Sequence, residues 1–167
     1  DANGAWDEAA AGRFLDGLAG LPVESVEEPL AGREPEAFIR LQARAACRLA
    51  LDESLAAVDP EPLLASPYPG RLVLKPAALG GPLPALRLAR RARAAGWDAV
   101  VTTVVESAVG AWAALHLAAA VAGEGDGEAP AHGLATSAWL AEDVAPPPTV
   151  ADGGIALPGE AGLGVAV

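Results

Sequence analysis

The chain has 167 residues, 52% of them hydrophobic and 20% charged, enough apolar material to bury the core of one ordinary domain. A formal net charge of -11, with no basic run longer than the "RLARRAR" stretch, argues against nucleic acid and anionic membranes as partners. The single cysteine, Cys47, excludes an internal disulfide framework; no uncharged apolar run reaches transmembrane length, and "DANGAWDEAA" lacks the basic and apolar parts of a signal peptide, so a soluble cytoplasmic protein is expected.

Helical spacing of apolar and alanine positions predicts a first helix from Trp6 to Leu18, with Trp6 as its anchor and "GLP" as its stop. The short strand "VESV" then runs into Glu27, Glu28 and Pro29. A second helix fits Pro35 to Ala46, and the strand "CRLAL", opened by Cys47 as a small hydrophobe, ends at Asp52. After the turn-rich "DPEPLLASPYPG", which holds a short helix at most, "RLVL" forms a strand ending at Lys75. The pair Gly80 and Gly81 leads into a long helix from Pro82 to about Ala95, with Arg87, Arg90, Arg91 and Arg93 toward water. "DAVVTTVV" is a further strand, ending near Glu106, and a helix follows from about Ala108 to Val121. "AGEGDGEAPAHG" is a flexible loop, "LATSAWLA" a strand or strand end, and the Pro/Gly-rich tail holds one short strand at most. Trp112 and Trp139 read as core, His116 as an ordinary mid-helix residue, and His132 as loop decoration.

Strands alternating with helices call for a parallel sheet with crossover helices. Asp1, Glu27, Asp52 and Lys75 stand at the start of the chain and at three strand ends, at steps of 26, 25 and 23 residues, about one strand, loop and helix each. Polar residues recurring once per unit at the C-terminal ends of apolar strands are where a (β/α) barrel keeps its active site. Lys75 is the only lysine beside ten arginines, and lysine, unlike arginine, can lose and regain a proton in a partly apolar site. Three convergent carboxylates repel one another unless a cation joins them, and all-oxygen ligands without a His/Cys cluster suit Mg²⁺ or Mn²⁺ better than zinc. Asp52 before "ES" also suits a helix start, Glu28 is as acidic as Glu27 while only one of the two can face inward, and Glu106 serves either a pocket or a helix start.

The segments "DANGAW", "VEEP", "LALDES", "LVLKPAALGG", "VVTTVVESAVG" and "HGLATSAWLAED", in that order, resemble the C-terminal barrel of the enolase superfamily, most closely its o-succinylbenzoate synthase family. The resemblance implies a partial TIM-like (β/α) barrel over residues 1–145, without the first barrel strands and the N-terminal capping domain, and a tail over 146–167 that packs on the barrel or that capping domain. It implies Asp1, Glu27 and Asp52 as Mg²⁺ ligands, Glu27 being the acid two places before the proline, and Lys75 as one of two active-site lysines. Asn3 would face the substrate or support a ligand, and Thr102, Thr103, Gly133 and Leu134 would shape the pocket for a small carboxylate substrate. The implied reaction removes water from 2-succinyl-6-hydroxy-2,4-cyclohexadiene-1-carboxylate to give o-succinylbenzoate, through a metal-stabilised enolate, in menaquinone biosynthesis.

The family's second lysine, from a Lys-x-Lys motif one strand earlier, has no counterpart, and there is no methionine in the chain. The expectation is therefore a C-terminal piece of a longer protein, inactive by itself and needing its N-terminal portion. Two alternatives remain: an N-acylamino-acid racemase or dipeptide epimerase of the same superfamily, although "GLATSAWLAED" lacks an Asp-x-Asp motif, and a non-catalytic truncated barrel. A mandelate-type racemase is disfavoured because "VVTTVVES" offers no histidine.

Overall fold

The computed structural model describes residues 1–124 and 130–165, so the centre of the predicted loop over 122–133 lies outside the described residues. The helices are α1 (Glu8–Gly17), α2 (Pro35–Gln42), α3 (Glu61–Leu64), α4 (Pro82–Ala94) and α5 (Ala108–Gly123), and the strands β1 (Ser25–Glu27), β2 (Arg48–Leu51), β3 (Arg71–Leu74) and β4 (Asp98–Val101). The fold is α/β: the strands form one sheet in the order β1-β2-β3-β4, and β1 runs parallel to β2 and β2 to β3. Among the described residues, no helix is long and apolar enough to cross a membrane.

The chain divides into two compact units, one of Asp1–Val73 with Arg91–Asp98 and the other of Leu74–Arg90 with Ala99–Val167. In the first unit Leu41, Leu49, Leu63 and Leu72 are fully buried, and Phe38 stacks on the buried Trp97 with ring centroids 5.9 Å apart. Asp7 starts α1 by accepting the Ala10 amide at 2.7 Å, and Pro35 starts α2, where a missing N–H costs nothing. Trp6 anchors the start of α1 by tilting onto Phe14, with centroids 4.6 Å apart.

Charges at the N-terminal ends of the strands tie this unit together. The Arg71 side chain, 9% exposed, makes two hydrogen bonds to Asp98 at 2.8 and 2.9 Å and pairs with Glu24 at 2.6 Å, while Arg48 pairs with Asp98 at 3.3 Å. Hydrogen bonding to Asp98 raises the Arg71 guanidinium further above its already high value, against the cost of burial. Strand starts are the end of a parallel (β/α) fold where polar residues serve stability.

In the second unit Leu74, Ala85, Val101, Ala108, Ala111 and Ala114 form the centre of the core. Left-handed Gly80 and Gly81, at φ 80° and 111°, turn the chain into α4, as only glycine does without strain. The segment predicted as a strand or strand end over 134–141 is instead a 3₁₀ turn at Thr136–Trp139, with a single parallel bridge from Gly133 to Thr102 just before it. Thr136 explains the difference: its hydroxyl donates to the Val104 carbonyl at 2.6 Å, pulling the chain into a local turn. Two core expectations also fail. Trp139 is 77% exposed, and Trp112 is half-buried, with its indole N–H turned outward to the Pro146 carbonyl at 3.0 Å. The strand predicted to run to Val105 ends at Val101, leaving Val104 and Val105 exposed.

Candidate functional site

In the first unit the three predicted acids lie on adjoining backbone segments. The Ala2 amide donates to the Glu27 carbonyl at 2.9 Å and the Gly4 amide to the Glu28 carbonyl at 2.7 Å, which lays the chain start along the end of β1. Glu27 stands in register with Ala50 of β2, two residues before Asp52. Glu28 supplies the next link: its amide donates to the Ala50 carbonyl at 2.9 Å, and its Oε2 accepts the amides of Asp52 at 2.7 Å and Ser54 at 3.4 Å. Glu28 is thus 7% exposed and occupied with backbone groups. Of the two adjacent glutamates, the structure makes Glu28 the one that positions Asp52.

Asp52 itself is 7% exposed and stands before a 3₁₀ turn over Glu53–Ala56, yet its side chain makes no capping hydrogen bond there. The helix-start reading is therefore not what occupies its carboxylate. Asp1 is exposed, and its two carboxylate oxygens accept the Asn3 amide at 2.8 Å and the Asn3 side-chain Nδ2 at 2.9 Å. Asn3 consequently holds Asp1. Among the described residues, Asn3 and Glu28 also carry two of the three positive φ values found at non-glycine residues, 47° and 40°. Such a conformation costs an ordinary residue like glutamate about 1–2 kcal/mol, and strain of this kind gathers at functional sites.

As donors these acids suit a hard divalent cation: all three offer carboxylate oxygens, with neither imidazole nor thiolate among them. Among the described residues, no group of three His, Cys, Asp or Glu side chains is drawn together closely enough to hold a metal ion. The backbones adjoin, and the carboxylates are not gathered.

In the second unit Lys75 is half-buried directly after β3, and its carbonyl accepts the amides of Ala78 at 2.9 Å and Leu79 at 3.1 Å. The Thr102 amide donates to the Leu74 carbonyl at 3.0 Å, so Thr102 lies beside the residue that precedes Lys75. Thr102 and Thr103 meet the segment from Gly133. Gly133 donates its amide to Val101 at 2.9 Å, and its carbonyl accepts the Thr103 amide at 3.1 Å and the Thr102 hydroxyl at 3.0 Å. The Thr103 and Thr136 hydroxyls lie 2.7 Å apart. Thr136 gives its proton to Val104 and so accepts from Thr103, whose hydroxyl also lies 3.3 Å from the Gly133 carbonyl. Both predicted pocket threonines therefore use their hydroxyls to fasten the strand end. Gly133 is needed where it is, because a Cβ there would stand 2.7 Å from the Thr102 hydroxyl oxygen. Leu134 is buried beside it.

Three residues acquire roles that the sequence did not disclose. His132 accepts the Val101 amide on Nδ1 at 3.0 Å, replacing a strand neighbour at that edge. Asp143 caps α5 by accepting the Ala108 amide at 2.8 Å, a role open to Glu106 on spacing alone. Glu106 instead folds over Gly110, with Oε1 buried and unpartnered, and burial pushes its carboxyl above the usual glutamate value, partly opposed by the Val104 backbone. "VEEP" shows two acids but not the left-handed backbone that turns the second inward, and side-chain-to-backbone links 31 or 35 residues apart leave no local pattern.

The family model described as Enolase C-terminal domain-like matches residues 1–167. An o-succinylbenzoate synthase of Thermobifida fusca is 39% identical over 150 residues, covering 89% of this chain and 44% of that relative. A chloromuconate cycloisomerase of Cupriavidus pinatubonensis is 32% identical over 122 residues, covering 72% of this chain and 33% of the relative. Among solved structures, the muconate lactonizing enzyme from Klebsiella pneumoniae superposes with a TM-score of 0.82 at 33% identity, covering 96% of this chain and 45% of that one. The chain thus spans less than half the length of these relatives.

Proposed function

The chain belongs to the enolase C-terminal domain-like family, and we propose that it is the barrel portion of an o-succinylbenzoate synthase acting on a small carboxylate in the cytoplasm. The observation that carries this reading is the linkage of the Asp1, Glu27 and Asp52 segments through the Ala2–Glu27 backbone hydrogen bond and the bond from the Asp52 amide to the Glu28 carboxylate, which supports a shared role for three acids spaced one barrel unit apart. The 39% identity to a protein of that name favours dehydration over the other reactions of the fold.

Asp1, Glu27 and Asp52 would hold Mg²⁺, with Mn²⁺ as a substitute, which when bound supplies the positive charge that makes a proton next to a carboxylate removable. Glu28 keeps Asp52 in place, and Asn3 does the same for Asp1. The Lys75 ammonium steadies the negative charge of the enolate as it forms. Thr102, Thr103, Gly133 and Leu134 fix the wall against which the succinyl-bearing ring is oriented. In the complete reaction the proton leaves the carbon bearing the carboxylate, the C–O bond to the ring hydroxyl breaks, and water departs as the ring becomes aromatic.

Lys75 is the only lysine, so the proton removal assigned in the family to a Lys-x-Lys residue has no lysine to perform it within these residues. The chain alone is therefore expected to be a poor catalyst, and an N-terminal portion carrying that motif to be its required partner. A second reading, cycloisomerisation, rests on the 32% identity to a chloromuconate cycloisomerase. Assays of the longest polypeptide containing this chain separate the two. Loss of the diene absorbance of the dehydration substrate, with no lactone formed from muconate, supports the synthase; lactone formation without dehydration overturns it.

A further inference from the structure

Asn3 is the only asparagine in the chain, and Gly4 follows it. The two form the corner of a tight turn: the Ala5 amide donates to the Ala2 carbonyl at 3.0 Å, and both corner residues have left-handed backbone, at φ 47° and 66°. An Asn-Gly pair suits such a turn because both residues tolerate positive φ. The same pair has a chemical consequence. Gly4 has no side chain to shield its backbone nitrogen, which can therefore reach the side-chain carbonyl carbon of the exposed Asn3.

In the folded chain two contacts oppose that approach. The Gly4 amide donates to the Glu28 carbonyl at 2.7 Å, so its proton is engaged and its nitrogen faces the residue after β1. The Asn3 side chain is held by Asp1, with Nδ2 donating to Asp1 Oδ2 at 2.9 Å. Both Asn3 and Asp1 are exposed, and contacts of this kind open locally without unfolding the chain.

We infer that Asn3 is a site of spontaneous deamidation, held in check by the Gly4–Glu28 and Asn3–Asp1 hydrogen bonds. When both open, the Gly4 nitrogen loses its proton and bonds to Asn3 Cγ. The Cγ–Nδ2 bond breaks, Nδ2 leaves as ammonia, and a succinimide ring remains. Water then opens the ring: cleavage at Cγ gives aspartate in the ordinary chain, and cleavage at the backbone carbonyl gives isoaspartate, with one more methylene in the main chain. Water is the one co-reactant. Either product takes the Nδ2 donor away from Asp1 and puts a second carboxylate beside it, so that the two repel. The change bears on Asp1 whatever Asp1 serves, and the inference stands apart from the proposed synthase reading.

The test follows the 167-residue chain by mass spectrometry with peptide mapping at mildly alkaline pH, folded and in concentrated guanidinium chloride. Deamidation adds about 1 Da. Gln42, the only glutamine, is the other side chain able to gain that mass. It is 8% exposed with both ends of its amide bonded, to the Cys47 carbonyl at 3.1 Å and the Leu49 amide at 2.7 Å. The expected result is a gain at Asn3 in both states, at least about tenfold slower in the folded chain. Asp1→Ala, which frees the Asn3 side chain, should speed the folded reaction severalfold and leave the unfolded one unchanged. Asn3→Gln should abolish the gain in both. Equal rates folded and unfolded, no gain in the folded chain, a gain mapped to Gln42, or a folded rate indifferent to Asp1→Ala overturns the inference.

Discussion

The carboxylate of Glu28 accepts the backbone amide of Asp52 at 2.7 Å, so one member of an acidic pair serves to set the other strand end in place. Glu28→Ala leaves the Asp52 and Ser54 amides buried without an acceptor and should cost about 1–3 kcal/mol in urea unfolding. Glu28→Gln retains an acceptor oxygen and should lose less than half as much. Glu27→Gln, which leaves both amides satisfied, should be milder than Glu28→Ala. Equal losses for Glu28→Ala and Glu28→Gln would refute this assignment.

Arg71, at the N-terminal end of the strands, joins Asp98 and Glu24. Arg71→Met leaves Asp98 with Arg48 alone and removes the partner of Glu24, and should cost about 1–3 kcal/mol, with little change in denaturant m-value. By contrast, Arg40→Met, which breaks an exposed pair with Glu8, should leave the unfolding midpoint essentially where it was. Indistinguishable midpoints for the two variants would show that the strand-start network is ornamental.

Close backbone approach makes Gly70 irreplaceable. A Cβ there would stand 2.6 Å from the Leu49 carbonyl and 2.8 Å from the Trp97 ring, neither of which can swing away. Gly70→Ala should therefore cost about 1–3 kcal/mol and weaken the near-ultraviolet circular dichroism of the Trp97 region. Gly17→Ala, with nothing within 4 Å, should stabilise or leave stability unchanged.

Two half-buried titratable groups give opposite pH signatures. Burial raises the Glu106 carboxyl above its ordinary 4.5, so the folded state prefers it protonated. Its favourable contribution is present below 4.5 and is lost as pH rises through the folded value. Glu106→Gln should therefore raise the melting temperature at neutral pH, by an amount that shrinks toward pH 4.5. Burial lowers the His132 imidazole below 6.5, so its contribution is present above 6.5 and is lost as pH falls through the folded value. His132→Gln should be less sensitive than the unaltered chain to a fall below pH 6.5. Melting curves from pH 4 to 8 read both differences, and parallel curves for variant and unaltered chain would contradict the burial account.

The regular elements were legible because local pattern decides them. Pro82 and the flanking glycines fix the start of α4, and "RLVL" is β3 residue for residue. The alternation of acids with strand ends is the ground for proposing Asp1, Glu27 and Asp52 as a set, and the structure adds that their backbone segments adjoin. What escaped depends on partners far along the chain. "LATSAWLA" has a strand's composition, but Thr136 finds an acceptor 32 residues back and coils the segment. Arg48, Arg71 and Asp98 read singly as wet strand ends and become a network only when parallel register stacks them. Trp139 has a core residue's chemistry, yet at the end of that 3₁₀ turn it points to solvent.

The central proposal, that Asp1, Glu27 and Asp52 would draw together around one divalent cation, is tested most directly by titrating the chain with Mn²⁺ and counting bound ion by electron paramagnetic resonance. The account predicts one site per chain, displaced by Mg²⁺, weakened at least about tenfold by Glu27→Gln or Asp52→Asn and unaltered by Glu24→Gln. No stoichiometric uptake, or uptake equally strong in Glu27→Gln and Asp52→Asn, would contradict it.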